Sequence, residues 1–112
     1  MSVGLVIKCQ DGETEARLVP IATERIFEEY WQPMCSALGL RWVPLFQSGL
    51  PLKSDDIPDV LDELLQLKAF LSNKPHPSIP EDMANHVVSR IKMLMRELQQ
   101  IQEDPKAEGW IS

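Results

Sequence analysis

Cysteine and histidine are scarce in this chain, and with them most of the chemistry that small domains build around reactive or metal-binding side chains. Cys9 and Cys35 are the two cysteines. They stand at no motif spacing, so a disulfide framework is not expected and both are read as free thiols acting as small apolar side chains. His76 and His86 are the two histidines, ten residues apart with no carboxylate or thiol at a ligand spacing, which argues against a metal centre. The glycine-bearing loop before a helix, residues 47–52, holds Gly49 alone beside Pro51. It lacks the run of glycine N–H groups that cradles phosphate, so nucleotide binding is not expected.

Basic residues are outnumbered eleven to seventeen by acids, giving a net charge of −6 and a pI near 4.8. That balance disfavours nonspecific attraction to nucleic acid or to an anionic membrane. No segment approaches the ~18 consecutive apolar residues of a membrane span, and the first residues lack the basic flank and apolar run of a secretory signal. The expectation is a soluble, cytoplasmic chain with no nucleic-acid or membrane partner. No catalytic residue, cofactor or metal ligand is assigned.

What is present is a clear pattern of elements. At 112 residues with 44% hydrophobic residues the chain has the size and composition of one domain with an ordinary core. Residues 3–9 read as a strand, Asp11-Gly12 as a two-residue hairpin turn, and residues 14–19 as the return strand, ended by Pro20. Pairing about that turn sets Leu5 opposite Leu18, Ile7 opposite Ala16 and Cys9 opposite Thr14, with Lys8 facing Glu15 on the other side. From Thr23 the apolar residues Ile26, Phe27, Tyr30, Trp31, Met34, Ala37 and Leu38 fall at helical spacing, and Gly39 is a C-terminal cap. Pro33 cannot donate to the carbonyl of Glu29, which predicts a kink or a break. Residues 40–46 read as a third strand, placed at an edge or bulge by Pro44.

The strongest pattern lies in residues 54–103. Ser54, Asp55 or Asp56 caps a helix whose stripe is Ile57, Val60, Leu61, Leu64, Leu65, Leu67 and Leu71, with Pro58 in its first turn. Lys68 near the centre of the stripe is read as snorkelling towards solvent or meeting helix-end carbonyls. A stiff connector with Pro75 and Pro77 follows. Then Ser78-Ile79-Pro80-Glu81 reads as a capping box opening a third helix, with Ala84, Val87, Val88, Ile91, Leu94, Met95, Leu98 and Ile101 in its stripe until Asp104-Pro105 stops it. The order is ββαβαα. It predicts an α+β domain over residues 1–104, a short three-stranded sheet covered by about three helices and ending in a helical hairpin, with residues 105–112 as a C-terminal tail.

Two candidate surfaces follow. The first is a protein-contact surface made of the acids Asp55, Asp59, Asp62 and Glu63, the large apolar residues Phe70 and Met93 on polar helix sides, and Trp110 and Ile111 of the tail. Helix capping, and pairing with Lys92 and Arg96 of the next helix, account for part of the acidic run. On this reading the chain is a non-enzymatic interaction module: an acidic inhibitor or immunity-type protein whose acids cover a basic site on a protein partner, or a homodimer. The second surface is a small-ligand or enzymatic pocket between sheet and helices, where Tyr30, Trp31 and Trp42 beside Arg41 would hold a planar anion. The two readings divide on whether Trp31 and Trp42 pack into the core or line an open cavity.

Overall fold

The computed structural model describes residues 2–9, 17–73, 79–104 and 107–112. The Asp11-Gly12 turn, the partners Thr14, Glu15 and Ala16, His76 and its flanking prolines, Ser78, Pro105 and Lys106 lie outside the described residues, as do the side chains of Cys9 and Asn73.

The chain is an α+β domain with a four-stranded antiparallel sheet. In chain order it runs β1 (Ser2–Cys9), β2 (Arg17–Thr23), helix α1 (24–38), a 3-10 helix (Val43–Ser48), β3 (Leu50–Leu52), α2 (Ile57–Asn73), α3 (Glu81–Glu103) and β4 (Ala107–Ile111). The strand order is β2-β1-β4-β3. No described helix is long and apolar enough to cross a membrane.

Three expectations about the sheet are corrected. First, the residues read as a C-terminal tail are a central strand: β4 pairs with β1 on one side and β3 on the other. Ile111 is fully buried between Leu5 and Leu50, its register partners. Gly109 faces inward with it, and a Cβ there would lie 3.2 Å from Cδ1 of Ile101 and 3.3 Å from Cδ1 of Leu5. The missing side chain lets α3 approach the sheet closely at this point. A strand that is short, half polar and interrupted by glycine carries little periodic signal, and only its two neighbours define it.

Second, β2 is offset by one residue from the expected hairpin and runs through Pro20 instead of ending there. Leu5 pairs with Val19, Val6 with Leu18 and Ile7 with Arg17. A one-residue offset exchanges the faces of a strand, so Val19 and Ile21 are buried and Leu18 points away from the core. Beyond these pairs a bulge between Val3 and Gly4 shifts the register once more, to Val3 with Ala22 and Ser2 with Thr23. Pro20 is tolerated because Gly4, its partner, directs its own N–H and carbonyl to Ser112 at 3.0 and 3.1 Å. The Gly4/Pro20 pair therefore exchanges no ladder bonds, and the missing donor falls on the free edge of the sheet.

Third, residues 40–46 are not a strand. Val43 and Phe46 are buried three residues apart on the 3-10 helix, the period of that helix, and the third strand is Leu50–Leu52.

Helix α1 starts at Thr23, whose Oγ1 accepts the N–H of Ile26 at 3.2 Å, and it continues through Pro33. The turn before the proline, Phe27–Trp31, is widened to π geometry, with Gln32 N–H donating to Phe27 O. Widening relieves both the absent donor and the ring clash that a proline brings to a helix, so the chain neither breaks nor ends there. Gly39, at φ 68°, caps the helix, with Gly39 N–H reaching Ser36 O and Leu40 N–H reaching Cys35 O, the paired bonds of a Schellman motif.

The helical hairpin of α2 and α3 is present where the periodicity places it. Asp56 is the residue at which α2 begins, its carbonyl accepting the N–H of Val60 and its carboxylate that of Lys53. Ile57, Val60, Leu64 and Leu67 of α2 and Val87, Ile91, Leu94, Leu98 and Ile101 of α3 are buried, while Leu65 of the expected stripe is turned out to solvent. The start of α3 falls later than the capping box requires: Pro80 is the N-cap, with no side-chain bond, and its carbonyl accepts Ala84 N–H. Its ψ of 145° holds it out of the helix, leaving Glu81 at the first helical position instead of the third.

The two faces of β4 give a direct test. Ile111→Ala is expected to cost about 2–5 kcal/mol through the cavity it leaves. Trp110→Ala, one residue away but on the open face, is expected to cost less than about 1 kcal/mol. Urea denaturation of both variants measures the difference, and equal costs would contradict the register.

Candidate functional site, the open face of the sheet

All the buried strand side chains lie on the face that the helices cover. The other face carries a row that crosses the whole sheet: Leu18 pairs with Val6, Val6 with Trp110, and Trp110 with Pro51. Leu18 is 64% exposed and Trp110 48% exposed. Both lie over glycine. Built Cβ atoms would come within 2.9 Å of Leu18 Cδ1 at Gly4 and 3.3 Å of the Trp110 ring at Gly49, so these large side chains lie flat on the sheet where the glycines leave room. Lys8 and Glu108, themselves register partners, flank the row. An open groove of about 300 Å³ lies beside the Val6–Trp110–Pro51 part of the row, lined by these three with Lys8, Lys53 and Glu108.

This face differs in charge from the rest of the molecule. Among the described residues Glu108 is the one acid on a strand, and the remaining acids sit on helices and their connections. Among the described residues the helices and their connections carry most of the negative charge. The open face combines an apolar row with Lys8, Lys53 and Glu108, a composition suited to contact with another macromolecular surface.

The other residues singled out from sequence are dispersed. Glu63 does not belong to an acidic contact face: it is 8% exposed, and its carboxylate accepts the backbone N–H groups of Arg41 at 3.1 Å, Trp42 at 2.9 and 3.1 Å and Val43 at 3.0 Å. These are the otherwise unpaired donors at the start of the 3-10 helix, so Glu63 acts as a cap supplied from α2. It coils a segment whose composition alone reads as a strand. Asp55, Asp59 and Asp62 are exposed, and Asp62 accepts a bond from Gln66 in its own helix at 3.0 Å. Among the described residues no ion pair joins them to Lys92 or Arg96, whose helix instead reaches the sheet through Arg17–Glu97.

Phe70 and Met93 are half-buried, packed against the core. Phe70 meets Tyr30 and Ile79 at a cavity of about 60 Å³. Ile111 is core, and of the four apolar residues Phe70, Met93, Trp110 and Ile111 only Trp110 is exposed. The aromatic ligand pocket is not assembled. Trp31 is fully buried, its ring stacked on Phe27 at 5.6 Å, and its Nε1 has no hydrogen-bond partner among the described residues. Trp42 packs partly against the same core, Tyr30 lies at its edge, and Arg41 points to solvent. Among the described residues no three His, Cys, Asp or Glu side chains gather as a metal site.

Leu18 is the open-face residue that sequence reading misses. The assumed two-residue turn assigns it to the core, and nothing local reveals that Val19 displaces it.

Cys35 is a buried free thiol. Burial, with the Glu63 charge second, pushes it up to about 12. The fold favours the neutral thiol, so its contribution to stability is complete below the ordinary value of 9.0 and is lost as pH rises towards 12. In a Cys9→Ser background, Cys35 is expected to react with an aromatic disulfide at pH 8 at least about tenfold more slowly than in urea-unfolded chain. Equal rates would place the thiol at the surface.

Glu63→Ala leaves three backbone donors without their acceptor and is expected to cost about 3 kcal/mol. Glu63→Gln, which keeps one acceptor oxygen without the charge, is expected to cost about half as much. Urea denaturation measures both. A neutral alanine variant would remove Glu63 from its structural role.

Comparison of the chain with protein-family models, with curated proteins and with solved structures gives no match.

Proposed function

We propose that this chain is a non-enzymatic protein-interaction module whose contact surface is the open face of its sheet. One observation carries the reading: the row Leu18, Val6, Trp110, Pro51 spans all four strands on the face away from the helices. Apolar residues scattered singly over a surface need no explanation, but a contiguous row with an exposed tryptophan at its centre has the makeup of a contact hot spot.

The sheet edges support the same choice. β2 carries Pro20 and the three-residue β3 carries Pro51, and proline on a short edge strand hinders the addition of a partner's strand. The surface left for a partner is the face. The exposed acids Asp55, Asp59 and Asp62 on α2 remain a second, charged surface, but they lack an apolar centre and read first as helix-start residues.

Photo-cross-linking tests the assignment. A benzoylphenylalanine residue placed at position 18 or 110 is expected to yield a discrete cross-linked product in extract of the source cells. The same residue at position 55 or 59 is expected to yield none. Products from the acidic positions alone would move the contact surface to α2 and overturn the assignment.

A further inference from the structure

We infer that the occupant of the open sheet face is a second copy of this chain, docked face to face about a two-fold axis that runs along the strands between β1 and β4. The inference rests on the interaction reading above and names its partner. Its basis is self-complementarity. The strand order β2-β1-β4-β3 places β1 and β4 at the centre, and an axis between them sets β1 over the partner's β4 and β2 over the partner's β3. Val6 then meets the partner's Trp110, and Leu18 the partner's Pro51. In the flanking row Lys8 meets the partner's Glu108, and Glu108 the partner's Lys8, because these two residues are register partners on the two central strands.

An isologous contact requires one patch to complement itself, and a row of opposite charges set symmetrically about the axis does so. Packed sheets are rotated by about 30° relative to one another, which displaces outer strands most and the central pairs least. The Val6–Trp110 pairs, in the apolar row on the two central strands, are therefore the ones the rotation disturbs least. Net charge points the same way. Two chains of charge −6 repel each other, and among the described residues the face bearing Lys8, Lys53 and Glu108 is where that repulsion is smallest.

The face is small. Four strands ~4.8 Å apart and about five residues at ~3.3 Å give roughly 300 Å², below the ~800 Å² per partner of a standard interface, so the expected association is weak and concentration-dependent.

The test is sedimentation equilibrium of the full chain from about 10 µM to about 1 mM, the range of a weak complex. Wild type is expected to approach twice the 12.8 kDa chain mass. Lys8→Glu and Glu108→Lys are each expected to weaken association at least about tenfold, since each sets like charges across the axis. Mixed one to one, the two variants are expected to associate again. The carboxylate introduced at position 8 of one chain then faces the ammonium introduced at position 108 of the other, and the two unaltered residues, Glu108 and Lys8, still face each other across the axis. Both variants are still net negative, so overall attraction does not explain such a recovery.

A wild-type chain that stays monomeric to 1 mM overturns the inference, as does a dimer indifferent to both reversals or a mixture no stronger than its components. Circular dichroism of each variant excludes unfolding as the cause. Cross-links from position 110 to a chain of different mass, with wild type monomeric, would refute self-pairing and leave the interaction reading intact. The absence of both dimer and cross-links would end both.

Discussion

The carboxylate of Glu63 is the contact on which the middle of this molecule depends. It leaves helix α2 and takes the N–H groups of three consecutive residues, Arg41, Trp42 and Val43, at the point where the chain passes from α1 towards the sheet. A buried carboxylate without partners would carry a large desolvation cost, and three unpaired backbone donors would each carry their own. Each group removes the other's penalty. The result fixes the 3-10 helix against α2, sets Val43 and Phe46 into the core and delivers the chain to Leu50–Leu52. It also removes one of the acids from the charged surface that composition alone suggests.

The second constraint is the central position of β4. The last described strand enters between β1 and β3, so the sheet closes only when residues 107–111 have been placed. Ile111, Gly109 and Ile101 meet on one side, where the absence of a Cβ at Gly109 sets how closely α3 lies on the sheet. Trp110, between Gly109 and Ile111, is left on the other side by strand alternation. Core formation and the placement of the exposed tryptophan are therefore one event. The strand that completes the core also builds the centre of the open face.

That face joins two features that each have a plain structural origin. The helices sit together on one side because the apolar residues of α1, α2 and α3 share a core with Val3, Leu5, Val19, Ile21 and Ile111. The apolar row on the other side arises because β2 aligns Leu18 with Val6, and β4 aligns Trp110 with both Val6 and Pro51. A face that held scattered apolar residues would be ordinary surface. Alignment in one row makes it a candidate contact.

The amino-acid sequence by itself determined the parts whose signals are local. The two long helices follow from apolar residues at a spacing of three and four. The start of α2 follows from the cap candidates Ser54, Asp55 and Asp56 and from Pro58, the end of α1 from Gly39, and the first strand from a β-branched run. Net charge and the absence of any motif spacing are equally local. Tertiary structure alone decided the rest. The offset that exposes Leu18 depends on competition between Val19 and Leu18 for one core. The coiling of residues 43–48 depends on a carboxylate twenty residues away in the chain. The strand at residues 107–111 exists only between two others, and the roles of Trp110 and Ile111 separate only when that strand is placed. Hydrogen bonds and packing between residues distant in the chain leave no periodicity behind, so these features are legible only once the partners have met.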